Sequence, residues 1–242
     1  MIGKLEVVAG ETELARRSAE LFVELARDAI AQRGLFNVTL AGGSTPKAAF
    51  DLLCAEPLRS NVDWSAVFFY FGDERSVGPD DPNSNFGMAR EHLLGPLGIA
   101  SEHVYRIRGE LTPQKAADEY EATLRRTLGE RPIFDLVNLG MGPDGHTASL
   151  FPGTLAQIDP QRLVAVTHVE KLNTDRITVT SRVINSARAI LVAAGGESKA
   201  ASLAQVLSGP RNPDLYPSQL LNPENGTLTW LVDRAAARGL EA

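Results

Sequence analysis

What the chain lacks narrows its chemistry first. Among 242 residues there is one cysteine, Cys54. A lone cysteine forms no internal disulfide and no cysteine metal cluster, and such scarcity fits a reducing compartment. Cys54 lies in the apolar helical pattern AAFDLLCAE, which makes it a core residue. No uninterrupted apolar run reaches the length that a membrane span requires, so no membrane partner is expected. Positive charge is not in excess either. Lys and Arg number 24 against 30 Asp and Glu, for a net charge of −6. Nucleic acid is therefore not an expected partner, and any phosphate contact must come from a few focused groups. The four histidines (His92, His103, His146 and His168) are scattered without ligand spacing, so no metal is expected. Met1-Ile2-Gly3-Lys4 runs into a strand pattern with no charged-then-apolar leader, and a cytoplasmic location is expected.

What is present is a 43% apolar composition, with no repeat, low-complexity tract or linker. That suits one compact α/β domain spanning residues 1–242. Short apolar runs at Leu5 to Ala9, Val38 to Ala41, Val67 to Phe71, Phe134 to Leu139, Ala189 to Ala193 and Leu228 to Val232 predict strands, with Val67 to Phe71 and Phe134 to Leu139 read as buried. Leu163 to Val169 alternates as a strand does, and Ile177 to Thr180 follows it. Between the runs lie helical patterns. Thr12 is placed to cap the first, carrying Leu14, Leu21, Phe22, Leu25 and Ile30 to a stop at Gly34. Asn83 or Ser84 is placed to cap another, and Thr112-Pro113 to open a third.

Three strands end in glycine followed by polar groups, at Gly42, Gly72 and Gly140. Parallel strands gather such ends on one edge, where open α/β sheets bind ligands. Gly42-Gly43-Ser44-Thr45-Pro46 is a strand-to-helix turn whose free N–H groups, hydroxyls and helix dipole favour an anion. Gly72 delivers Asp73, Glu74 and Arg75 together, three charges that read as site residues. Gly140 opens a low-bulk turn that delivers Asp144 and His146, a carboxylate beside an imidazole and thus a general-base unit. Gly140 to Gly145 also satisfies G-x-G-x-x-G, but no helix-length pattern follows between Thr147 and Gln161, and a dinucleotide site needs one. Lys199, in the first turn of the helix after Gly195-Gly196, opposes that helix's dipole, which an anionic ligand explains.

Taken in order, these motifs resemble the 6-phosphogluconolactonase family. They are Gly42 to Pro46, Asp73-Glu74-Arg75 with Ser84-Asn85, the block GMGPDGHTASLFP from Gly140 to Pro152, Arg176-Ile177-Thr178 with Asn185, Gly195 through Lys199, and Trp230 to Asp233. The resemblance implies a three-layer α/β/α, Rossmann-like sheet of the glucosamine-6-phosphate deaminase and ribose-5-phosphate isomerase type. It implies hydrolysis of a small sugar-phosphate lactone, 6-phosphoglucono-δ-lactone, in the pentose phosphate pathway, without metal or organic cofactor. On that reading His146 is the base and Asp144 orients it. Arg75 stabilises the oxyanion and is held by Asp73. Gly43, Ser44, Thr45 and Lys199 bind the phosphate, with Arg176 a further candidate. The chain departs from the family at Leu172-Asn173-Thr174, where prolines are usual. The alternatives are an amino-sugar phosphate deaminase and a non-catalytic sugar-phosphate sensor. Against the first, the position of the deaminase glutamate is Phe151, which does not ionise. The oligomeric state, monomer or dimer, is left open.

Overall fold

The structure, a computed structural model, describes residues 3–155 and 158–240. Its strands are β1 (Lys4–Val8), β2 (Phe36–Leu40), β3 (Val67–Phe71), β4 (Asp73–Arg75), β5 (Leu136–Gly140), β6 (Val164–Val169), β7 (Thr174–Val179), β8 (Ala189–Ala194) and β9 (Thr227–Asp233). The helices are α1 (Glu11–Arg33), α2 (Ser44–Leu53), α3 (Asn85–Ala89), α4 (Pro113–Leu128), α5 (Ser181–Asn185), α6 (Ala200–Ser208) and α7 (Arg234–Ala237).

The apolar runs become a six-stranded sheet in the order β1-β9-β8-β5-β2-β3, with every neighbouring pair parallel. A parallel sheet covered on both faces favours strands that are apolar throughout rather than alternating. Strand β8 shows this best, because all of Ala189 to Ala194 is buried. Helix α1 buries Leu14, Ala15, Ser18, Ala19, Phe22, Val23, Ala26 and Ala29, a stripe at helical spacing. It packs with α2 over β2, β8 and β9. Gly34 ends it in the left-handed region (φ 77°) and donates its N–H to the Ile30 carbonyl. The fold is the expected mixed α/β type with a parallel central sheet.

Two local readings need correction. Helix α1 opens at Glu11, directly after Gly10, so Thr12 lies inside the first turn rather than capping it. Glu11 and Glu13 place two acidic side chains at the positive end of the helix dipole instead. The second correction matters more for the site. Asp73-Glu74-Arg75, where no strand was expected, is more than the polar end of β3. It is a short strand that leaves the main sheet and pairs antiparallel with β7, and β7 pairs with β6, giving a second, three-stranded sheet. Strand β7 begins at Thr174, earlier than its apolar residues suggest, so Arg176 stands in a ladder directly opposite Arg75. Helix α4 packs on this small sheet and ties it to the main one. Its Tyr120 hydroxyl donates to the Phe71 carbonyl and accepts from the Phe71 N–H, both at 2.9 Å.

Candidate active site

Strands β2, β3 and β5 are sheet neighbours running the same way, so the glycines after them open on one edge. A cavity of about 450 Å³ occupies that edge. Gly43, Ser44, Thr45, Asp73, Arg75, His146, Arg176 and Lys199 all line it. Asp144 lies one layer behind, against His146.

The glycine-rich turn after β5 is shaped around its imidazole. The Gly145 N–H donates to the Gly142 carbonyl at 3.0 Å, and the Gly142 N–H to the His146 carbonyl at 2.9 Å. Gly145 takes a positive φ of 78°, which glycine adopts without strain. A Cβ on Gly142 would overlap the His146 ring and crowd the Asp144 carboxylate, so this glycine clears the space the pair occupies. The chain then folds back, with Thr147 bridging to Leu150, and opens no helix there. That geometry supplies no helix N-terminus for a pyrophosphate.

The His146 Nδ1 lies 2.5 Å from Asp144 Oδ1, which holds the ring by that nitrogen and leaves Nε2 for chemistry. The ring stacks on Phe151, centroids 4.1 Å apart. The other oxygen of Asp144 is taken by the ammonium of Lys171. Burial works against the Asp144 charge, but the hydrogen bonds from His146 and Lys171 outweigh it and hold the carboxyl well below the usual carboxylate range.

Strand alternation sorts the three charges of β4. Asp73 and Arg75 share the cavity side, while Glu74 is turned away and buried. Its carboxylate accepts the backbone N–H groups of Arg75, Asn85 and Phe86, each at 2.8 Å, and the Ser84 hydroxyl at 3.1 Å. Burial pushes Glu74 up from the carboxylate range, and these donors only partly offset it. Glu74 is thus an anchor for the start of α3, where Ser84 is the N-cap and accepts from the Gly87 N–H at 3.0 Å.

Asp73 does not hold Arg75, contrary to expectation. Its carboxylate accepts the Ser149 hydroxyl at 2.7 Å and the Asn85 amide at 3.3 Å. The Arg75 guanidinium instead donates to the Asn83 carbonyl. Across the ladder, burial pushes the Arg176 guanidinium down, Arg75 adds repulsion, and Asp73 and Glu74 oppose both. Two guanidinium groups on directly opposed strand positions repel, and an anion between them relieves that repulsion.

On the opposite wall, Gly43 (φ 110°) precedes α2, and the first N–H groups of that helix meet no side-chain cap. Lys199 completes the polar lining. It closes a 3₁₀ turn before α6 rather than standing inside the helix. Burial pushes its ammonium down, opposed from a distance by Asp233 and Glu11.

Sequence reading passed over Ser149, Asn85 and Lys171. The first two carried a signal only as members of longer motifs, and nothing local marks them as partners of Asp73. Lys171 gave no signal, because its partner Asp144 is far along the chain. Among the described residues no three His, Cys, Asp or Glu side chains gather as a metal ion would require. Nor is any helix among them long and apolar enough to cross a membrane.

A parallel sheet with an imidazole–carboxylate pair and a cationic, anion-ready edge defines the class: an α/β protein built to act on a small phosphorylated molecule. Comparison with known proteins sharpens this. Residues 9–230 match the family described as glucosamine-6-phosphate isomerases/6-phosphogluconolactonase, and the chain belongs to that family. A 6-phosphogluconolactonase of Nostoc sp. is 38% identical over 241 residues, covering 98% of each chain. The structure of 6-phosphogluconolactonase from Trypanosoma cruzi superposes with a TM-score of 0.88 at 30% identity, over 100% of this chain and 99% of that one. A monomeric glucosamine-6-phosphate deaminase shares the fold, with a TM-score of 0.82 at 22% identity over 98% of this chain and 99% of that one.

Proposed function

We propose that this protein is a 6-phosphogluconolactonase, acting as one unit over residues 1–242 in the oxidative pentose phosphate pathway. The observation that carries the reading is the Asp144–His146 pair at 2.5 Å, opening on a cavity that Arg75, Arg176, Lys199 and the Gly43–Thr45 turn also line. The named relatives hydrolyse, by their names, the lactone such a cavity suits. A cytoplasmic setting accords with the single, half-buried thiol of Cys54.

The mechanism follows from the placement of the groups. His146 Nε2 takes a proton from water as the water oxygen attacks the lactone carbonyl carbon. The carbonyl electron pair moves onto its oxygen, where Arg75 stabilises the charge. Collapse of the tetrahedral species expels the ring oxygen, which receives the proton from the imidazolium. Asp144 steadies the ring and favours its charged form in between. The N-terminus of α2, Arg176 and Lys199 hold the phosphate. Asp73, fixed by Ser149 and Asn85, keeps a negative charge beside the arginine pair and sets how they face the cavity.

The deaminase alternative is disfavoured by Phe151. It stacks directly on His146, so no ionisable group stands where a deaminase places its glutamate. The decisive experiment is hydrolysis of freshly generated 6-phosphogluconolactone, corrected for the spontaneous reaction, by wild type and His146→Ala. Acceleration by wild type and its loss by about two to four orders of magnitude in the variant is the expected result. A folded wild type that accelerates nothing overturns the activity. A fully active variant overturns the base.

A further inference from the structure

Lys171 sits at the tip of the β6–β7 hairpin, in the turn Glu170–Leu172 that ends at Asn173 in the left-handed region (φ 44°). It touches both groups that touch His146. Its ammonium pairs with the Asp144 oxygen that His146 does not use. The same ammonium lies 5.3 Å above the Phe151 ring, whose centroid is 4.1 Å from that of the imidazole. The hairpin also carries Arg176, so one element brings both a guanidinium and an ammonium to the cavity wall, the ammonium beside the base.

We infer that Lys171 is a positioning residue that sets how readily His146 takes a proton, by sharing the Asp144 carboxylate with it. The inference rests on the reading of His146 as the base. The physical argument is electrostatic. A carboxylate serving the imidazole alone favours the imidazolium by its full charge. A second cation on that carboxylate drains part of this and repels the imidazolium directly. Lys171 therefore competes with the imidazole for one carboxylate, and its loss leaves Asp144 to His146 alone. The other charged and titratable groups near the pair are Arg75 and Asp73 from β4, Arg176 from β7 and Lys199 before α6 across the cavity, and Glu170 and His168 in the cleft behind Asp144. On the far side, the Tyr216 ring packs against Gly145. Of these groups only Lys171 bonds to the partner of the imidazole.

The test follows the His146 Cε1–H resonance by NMR across pH in wild type, Lys171→Met and Lys171→Arg, assigned with His146→Gln. Lys171 is exposed at the surface, so neither variant threatens the fold. In Lys171→Met the titration midpoint is expected to move to higher pH by about half a unit to one unit, the size of one partly screened charge. Lys171→Arg keeps the cation and should stay within about 0.2 unit of wild type. The acid limb of kcat/KM for lactone hydrolysis should move with the resonance. A resonance that stays in place, or moves down, in Lys171→Met overturns the inference, even if the rate falls, because lost packing lowers a plateau without moving a midpoint. A resonance that moves while the acid limb does not supports the role of Lys171 and overturns His146 as the base.

Discussion

At the scale of single residues, burial of Lys199 and Arg176 makes two cations of the site costly to the folded protein. Lys199 is held down in basicity chiefly by burial, so its charged form is disfavoured in the folded state. The sign follows. The cost is fully present below its folded pKa and is relieved as pH rises through it. Replacing it with methionine should raise the melting temperature of the ligand-free protein by roughly 2–4 °C, read by calorimetry at neutral pH. The same variant should show a raised KM for the phosphorylated lactone with kcat largely kept. An unchanged KM would make Lys199 a structural residue. Gly142 gives a second prediction. Its φ is ordinary, yet a Cβ there overlaps the imidazole, so Gly142→Ala should lower kcat by about 10²-fold or more while the protein still unfolds cooperatively. Parallel rate and thermal-melt measurements check it.

At the scale of elements, what was legible in the sequence divides cleanly between the two sheets. Strands β2, β3, β5, β8 and β9 declare themselves because a doubly covered parallel strand is largely apolar, and a glycine or a polar residue closes each apolar run. The small sheet was half hidden. Strand β4 is three charged residues, with no apolar alternation to mark it, and its pairing depends on a partner about a hundred positions away. The candidate residues therefore come together in one cavity as expected from sequence, while their contacts were not legible. Asp73 was matched to Arg75, its neighbour in sequence, when its real partners Ser149 and Asn85 arrive from other segments. Gly42 shows how tight that joint is, because a Cβ there would overlap the Asn85 amide. Gly42→Ala should push Asn85 off Asp73 and lower kcat/KM by about tenfold or more, and Asn85→Ala should copy the effect. A Gly42→Ala protein with wild-type kinetics would refute the linkage.

At the scale of the whole molecule, acid and salt act on opposite features. Asp144 is held below its unfolded value near 3.9, so it contributes stability above that value and loses it as pH falls toward its folded pKa. Glu74 is pushed up by burial, so its charge costs stability at neutral pH and the cost fades on acidification. Acid titration of the unfolding free energy should therefore be shallower in Asp144→Asn than in wild type, and denaturant melts between about pH 2 and 5 would show it. Salt acts through the cavity. The chain carries −6 overall, while Arg75, Arg176 and Lys199, the cations proposed to meet the substrate, line one cavity. Attraction within a Debye length, about 10 Å at 0.1 M salt, must therefore do the capturing. KM should rise with ionic strength, and more steeply in wild type than in Lys199→Met.

The pairing of β1 with β9 sets an order of events during synthesis. Strand β9 lies between β1 and β8, so β1 has no neighbour in the sheet until residues 227–233 follow. The growing chain must hold Lys4–Val8, and the part of α1 that packs on β9, in waiting until then. A nascent chain halted before Thr227 lacks two strands rather than one, and leaves β8 as a bare edge open to other chains.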